Sequence, residues 1–252
     1  MAFLLHDLQE KSERRTEMFL RDLKAFIGMA VVLSIAGPPA AQAAQRAVSE
    51  QQELVNGARV TFSRFRDDPD LTGFREHERD ARGYLIVPRA WRVGLVFGGS
   101  GGRGVLVSRG RTGDWNGPSF YTLGTASFGL QAGVDVSDIV VLVMTQRGMN
   151  ALLSPSVRLG MDASVAAGPV GAGAGRPARP DTDFLYYSRS KGFYGGVSLE
   201  GAMIRPADHW NAAYYGRPVS PRDILVRVSV RNPGSRGLLE TIDGSFHVVA
   251  RR

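Results

Sequence analysis

The 252-residue chain contains no cysteine. That excludes disulfides, thiolate metal sites, cysteine nucleophiles and a lipid-modified N-terminal cysteine. Histidine is nearly as scarce. His6, His77, His209 and His247 are the full set, and no two stand at ligand spacing, so neither a metal site nor a cofactor is expected. Lysine almost disappears after the first 43 residues, where Lys191 is the only one left. The apolar run Phe26 to Ala36 falls short of the ~20 residues that a membrane-spanning helix needs. No internal repeat is visible.

What the chain has instead is glycine and arginine. Its 31 glycines sit among apolar runs, which points to turns and bulges rather than to disorder. Residues 1–43 carry balanced charge, so the net charge of +7 comes from the remainder. Arginine supplies nearly all of it, and a guanidinium grips phosphate in a bidentate fork where lysine acts as a point charge. The excess is either a compositional bias toward arginine or the mark of a phosphate-bearing partner, lipid or nucleic acid. No zinc-finger, RNA-recognition or recognition-helix pattern accompanies it, so nucleic acid is not the expected partner.

The N-terminus has the layout of an export signal. Arg21 and Lys24 precede the apolar run Phe26 to Ala36, and Ala41-Gln42-Ala43 supplies an A-x-A cleavage site. Residues 1–43 are thus expected to be a signal peptide starting at Met1 or Met18. The protein would then be periplasmic or extracellular; an uncleaved segment would anchor it in the inner membrane instead.

Downstream, Val48 to Phe65 reads as an amphipathic helix. Val48, Val55, Ala58, Phe62 and Phe65 recur at helical spacing, while Arg59, Arg64 and Arg66 fall off that stripe. Such a helix either docks on a core or lies in a membrane interface. Asp67-Asp68-Pro69 ends it. From Gly83 the period becomes two: Tyr84 to Val87, Trp91 to Phe97 and Gly104 to Ser108 read as strands, and Ile139 to Thr145 as a buried one. Gly98 to Gly104 is expected to be a glycine-lined turn, Trp115 to Pro118 another, and Asp135 and Asp138 to bracket a third. Short helices are expected at Gln146 to Leu153, Ala207 to Tyr215 and Pro221 to Val226. The class is α+β: a curved antiparallel sheet or barrel-like β core with an N-terminal amphipathic helix and short C-terminal helices. Residues 44–230 form the domain, and 231–252 a weakly ordered basic tail.

The stretch Phe184 to Pro206 organises the rest. It reads as a strand, a turn at Lys191-Gly192, and a second extended run from Phe193 to Ile204 opened by Gly195-Gly196 and carrying Glu200 and Gly201. Tyr-Ser-Arg-Ser-Lys-Gly followed by Phe-Tyr-Gly-Gly-Val-Ser-Leu-Glu-Gly resembles the signature of the SYLF domain family. Further matching motifs are Ala81-Arg82-Gly83, Val87-Pro88, the glycines Gly98, Gly99, Gly101, Gly102 and Gly104, the run Gly129 to Gly133, and Gly168-Pro169-Val170-Gly171. The resemblance covers roughly Val48 to Val226 and is strongest to the bacterial, exported branch. It implies a non-enzymatic domain that binds anionic phospholipid headgroups at a membrane surface, or an envelope structural and protein-interaction module related to the actin binders of the family. From charge and expected exposure, the candidate lipid contacts are Arg189, Lys191, Arg103, Arg59, Arg64 and Arg66.

Enzymatic readings fare worse. Gly99-x-Gly101-x-x-Gly104 matches a dinucleotide fingerprint and Gly98-x-Ser100-x-Gly102 a nucleophile elbow, but both need a following helix, and Val105-Leu106-Val107 reads as strand. Glu200 or Asp135 in a barrel mouth is the remaining enzymatic possibility; a carboxylate in that role needs a partner acid or base.

Overall fold

The computed structural model describes residues 40–94, 97–128, 133–170, 181–190, 193–194 and 198–244. The chain divides into two units, Met1–Arg46 and Ala47–Arg252. The second holds the whole sheet.

Helix α1 runs Ala40–Asp67 and α2 Thr72–Glu78. Val55, Ala58, Phe62 and Phe65 of α1 are buried, so the stripe read from the sequence docks on the protein's own core. Each large apolar side chain removed from water contributes about 1.5–3 kcal/mol, and Phe62 and Phe65 both meet Phe74 of α2.

The sheet follows in chain order: β1 Gly83–Gly94, β2 Phe97–Arg109, β3 Trp115–Phe128 and β4 Gly133–Val143, then helix α3 Gln146–Leu152, β5 Val157–Arg158, β6 Val165–Ala167, β7 Phe184–Ser190, β8 Phe193–Tyr194 and β9 Met203–Pro206. Helices α4 Asp208–Tyr215, α5 Pro221–Leu225 and α6 Arg236–Asp243 close the described chain. The strand order is β5-β9-β3-β2-β1-β4-β7-β6, with β8 paired to β7. Every pairing is antiparallel except β6 with β7. The sheet curls into a half-barrel, as the α+β reading expects. Its two ends are neighbours in sequence, and Leu159 of the loop between β5 and β6 bridges to Ala163.

Period-two alternation sends side chains to opposite faces. Tyr84, Ile86, Val105, Val107, Phe120, Val140 and Leu142 face outward and join the core under α1, α2, α4 and α6. Leu85, Val87, Leu106, Tyr121, Ile139 and Val141 face inward and fill the concave side with Met149, Leu152, Ile204 and Leu225. Sheet and helices therefore share two apolar layers rather than enclosing an open barrel.

Several local expectations are corrected. Gly98 to Gly104 is not a turn; it lies within β2. Small residues are needed there because the strands press together: a β-carbon on Gly104 would stand 2.6 Å from the Ile86 carbonyl oxygen, and one on Gly102 2.7 Å from Val87. Trp115 to Pro118 opens β3, with a cis Gly117–Pro118 bond. The turn falls just before it, where Gly113 has φ +95° and the Gly110 N–H donates to Asp114 O. Asp135 and Asp138 lie inside β4. The second extended run is interrupted: Glu200 is exposed at a turn where Gly201 takes φ +77°, and only Met203–Pro206 returns to the sheet. The tail expected from Arg231 contains α6, which buries Leu238 and Ile242; its apolar face is legible only once the sheet beneath it is known.

Candidate functional site: an arginine row beside an exposed tryptophan

Among the described residues, the outer face of the sheet is covered by helices over most of its length and is left open near one end. The register there places Val136, Trp91, Gly101 and Gly124 side by side across β4, β1, β2 and β3. Trp91 is 49% exposed and Val136 46%. Both glycines leave the floor flat. Trp91 lies across Gly101, whose β-carbon would come within 3.0 Å of the indole.

The adjacent row on the same face is cationic. Arg103 of β2 stands opposite Thr122 of β3, which stands opposite Arg205 of β9. On the other side Asp138 of β4 stands opposite Arg189 of β7. Between them β1 bulges, and Arg89 is exposed at the bulge with φ +57°. The Arg89 backbone N–H donates to Asp138 Oδ1 at 3.0 Å, which holds the bulge in place. Arg64 reaches the same carboxylate from α1, 3.6 Å from Asp138 Oδ2, and Arg189 lies 3.9 Å from Asp68 Oδ2. Arg103 stacks its guanidinium 4.6 Å from the ring centre of Trp210. Five arginines from α1, β1, β2, β7 and β9 thus surround one edge of the Trp91 surface, with Asp68 and Asp138 among them.

Where α1 meets this surface the helix and sheet border an open, shallow groove of about 870 Å³. Glu50 and Glu53 line it from the helix, Arg89, Trp91 and Arg103 from the sheet, and Trp210 from α4. Its floor is the Gly101-Gly102 backbone and Gly124, beside which a β-carbon would meet nothing within 4 Å.

The sequence-derived lipid contacts are thus split. Arg103, Arg64 and Arg189 come together on this face. Arg59 packs toward Gly237 of α6. Arg66 is a structural residue: its guanidinium donates to the carbonyls of Thr241 and Ile242 at the C-terminal end of α6, pairs with Glu78, and lies 4.6 Å from the Phe62 ring centre. A cation there satisfies open carbonyls and complements the helix dipole. Lys191, Gly192, Gly195 and Gly196 lie outside the described residues. Ser100 shares a 2.6 Å hydrogen bond with Thr125 Oγ1 and is followed by strand, which is not the setting of a nucleophile elbow. Glu200 sits against Gly160, and Asp135 accepts from Ser190 Oγ at 2.6 Å. Trp91, Arg89 and Arg205 escape the sequence reading, because only cross-strand register brings them to the other arginines.

One further charged cluster is structural. The fully buried Asp183 accepts hydrogen bonds from the Thr145 hydroxyl, from Arg147 Nε and Nη2, and from the Ser164 N–H and hydroxyl. Burial alone would raise its pKa, but the donors from Arg147, Thr145 and Ser164 prevail and hold it down at about 2. This carboxylate ties α3 and the start of β6 to β7.

Residues 124–245 match the family model described as Ysc84, the Las17-binding protein actin regulator. The chain carries a Ysc84-type, or SYLF, domain. Among similar curated proteins is Protein YSC84 of Saccharomyces cerevisiae, 32% identical over 150 residues, which cover 58% of this chain and 32% of that one. LAS seventeen-binding protein 3 of the same yeast is 33% identical over 150 residues, with the same coverage. The human SH3 domain-containing YSC84-like protein 1 is 30% identical over 162 residues, covering 63% of this chain and 47% of that one. The chain thus spans about one third of the length of the yeast relatives it matches. No solved structure matches it significantly. The family match runs through α6, and β1 and β2, which precede it, are hydrogen-bonded into the same sheet as the matched strands.

Proposed function

We propose that this SYLF domain is a non-enzymatic module that binds the anionic surface of a phospholipid membrane. The observation that carries the reading is the pair of neighbouring rows on the open end of the sheet. Trp91 and Val136 are exposed in one; Arg103, Arg205, Arg89 and Arg189 occupy the next, with Arg64 above them. An indole suits the headgroup boundary, where one end is apolar and the other wet. Arginines set back from it by one row meet phosphates as the ring enters. Each cation near an anionic surface contributes about 1 kcal/mol, and the contribution decays over a Debye length of about 8 Å at physiological ionic strength. The matching family and one of the yeast relatives are named for binding Las17, which agrees with a module that has no chemistry of its own.

We further propose that residues 1–43 direct export, so that the membrane in question is met from the periplasmic or extracellular side. Among the described residues no helix is long and apolar enough to cross a membrane.

Co-sedimentation with phosphatidylglycerol vesicles tests the reading. Binding is expected to weaken at least tenfold between 50 and 300 mM salt, on the order of 1.4 kcal/mol. A protein partner is the second reading, favoured by the relative named for binding Las17. It predicts no vesicle binding at any salt concentration.

A further inference from the structure

The groove beside the Trp91 surface carries both signs of charge, which a site for purely anionic headgroups does not need. Glu50 and Glu53 stand three residues apart on α1, so they project from one side of the helix. Both are exposed and both line the groove. The sheet contributes Arg89, Arg103 and Trp91 to the same lining. Arg103 is held in place by the Trp210 ring. Arg89 is held at a bulge whose backbone is tied to Asp138. The cations therefore lie on the sheet and the carboxylates on the helix, and the open space is beside Gly124, next to the Trp91 ring.

From this arrangement we propose that the groove binds one zwitterionic phospholipid headgroup: a phosphodiester bearing an amine, as in phosphoethanolamine or phosphocholine. The phosphate pairs with Arg103 and Arg89 through charge-assisted hydrogen bonds. The ammonium turns toward Glu50 and Glu53, and the exposed indole of Trp91 offers its face to the same cation. A purely anionic headgroup, by contrast, brings its remaining charge or hydroxyls against the two carboxylates. The lipid is presented by a membrane, because the groove opens beside the exposed Trp91 and Val136. The inference rests on the membrane-binding reading and assigns a headgroup class to it. The arginine row supplies general attraction to anionic surface, and the groove selects one zwitterion within it.

Two probes separate the claims. The first is soluble glycerophosphoethanolamine, followed by the indole N–H resonance of Trp91 in the full chain. The second is vesicles of phosphatidylglycerol alone or mixed with phosphatidylethanolamine. The expected result is a saturable shift of the Trp91 resonance at millimolar glycerophosphoethanolamine, lost in Glu50→Gln/Glu53→Gln, with inorganic phosphate giving less than a fifth of that shift. The same double variant is expected to bind pure phosphatidylglycerol vesicles at least as well as the parent, which shows it to be folded, and to lose the parent's preference for mixed vesicles. No shift with the soluble headgroup, with phosphatidylglycerol vesicles still bound, overturns the groove assignment and leaves the membrane reading intact. An equal shift from inorganic phosphate overturns it too, as does a shift that the double variant retains. Failure of both probes overturns the two readings together.

Discussion

Trp91 lies over Gly101. A β-carbon at position 101 would stand 3.0 Å from Trp91 Cζ2 and 3.2 Å from the Leu123 carbonyl oxygen. The exposed ring keeps its place because the residue beneath it has no side chain. Gly101→Val is therefore expected to lift the indole and to weaken vesicle binding several-fold while the fold survives. Tryptophan fluorescence and vesicle titration check both halves. Gly104→Ala acts differently, because its new methyl meets the Ile86 backbone at 2.6 Å rather than a ring that can move. It is expected to destabilise by about 1–3 kcal/mol in urea unfolding.

Arg66 joins α1, α2 and α6. Arg66→Met keeps most of the packing on Phe62 but leaves Glu78 and the carbonyls of Thr241 and Ile242 without their cation. Both side chains of the ion pair are largely buried, so stability is expected to fall by on the order of 2 kcal/mol. Protection of the α6 amides against hydrogen exchange should fall first. Affinity for anionic vesicles should be unchanged in the folded fraction. A matched loss of vesicle affinity would return Arg66 to the membrane contacts.

Asp183 sets an acid limit. Its carboxyl is held at about 2 in the folded state, against about 3.9 in an unfolded chain. A depressed folded pKa gives stability that is fully present above the unfolded value and is lost as pH falls through the folded one. The contribution is on the order of 2.6 kcal/mol, complete above about pH 5 and gone only near pH 1. Urea midpoints measured from pH 5 down to pH 2 should fall, and Asp183→Asn should flatten that slope while lowering stability at pH 7. Some slope should remain in the variant, because Asp223 is also held down at about 2 by Ser220 and Arg227.

Export predicts cleavage after Ala43, inside the first turns of α1 and ahead of its buried residues Gln51 and Val55. Intact mass and N-terminal sequencing of protein recovered from an exporting host check it. A mature product that keeps Phe26 to Ala36 would indicate a membrane anchor.

The elements were legible where one physical signal dominated. The stripe Val55, Ala58, Phe62 and Phe65 specified α1, and the apolar run from Ile139 specified β4. Glycine misled in both directions. Gly98 to Gly104 read as a turn because free φ is the usual reason for glycine, whereas Gly102 and Gly104 are there for close strand contact. Gly201 read as strand although it takes positive φ at a turn. Of the site, Arg103, Arg64 and Arg189 are legible in the sequence by charge alone. Arg59 and Arg66 passed the same test, yet α6 claims them, and no local pattern predicts where α6 docks. Trp91, Arg89 and Arg205 depend on register across strands far apart in sequence.

The central claim is that the open end of the sheet is a membrane-binding face. Its most direct test is vesicle affinity of Trp91→Ala, Arg103→Glu and Arg205→Glu, singly and together, each confirmed folded by its unfolding midpoint. These positions are exposed or half-exposed on the outer face, so little loss of stability is expected. Each single change is expected to weaken binding to phosphatidylglycerol vesicles, and the triple variant to lose at least a hundredfold, on the order of 2.7 kcal/mol. A folded triple variant that binds anionic vesicles as tightly as the parent, with the same salt dependence, would contradict the central claim.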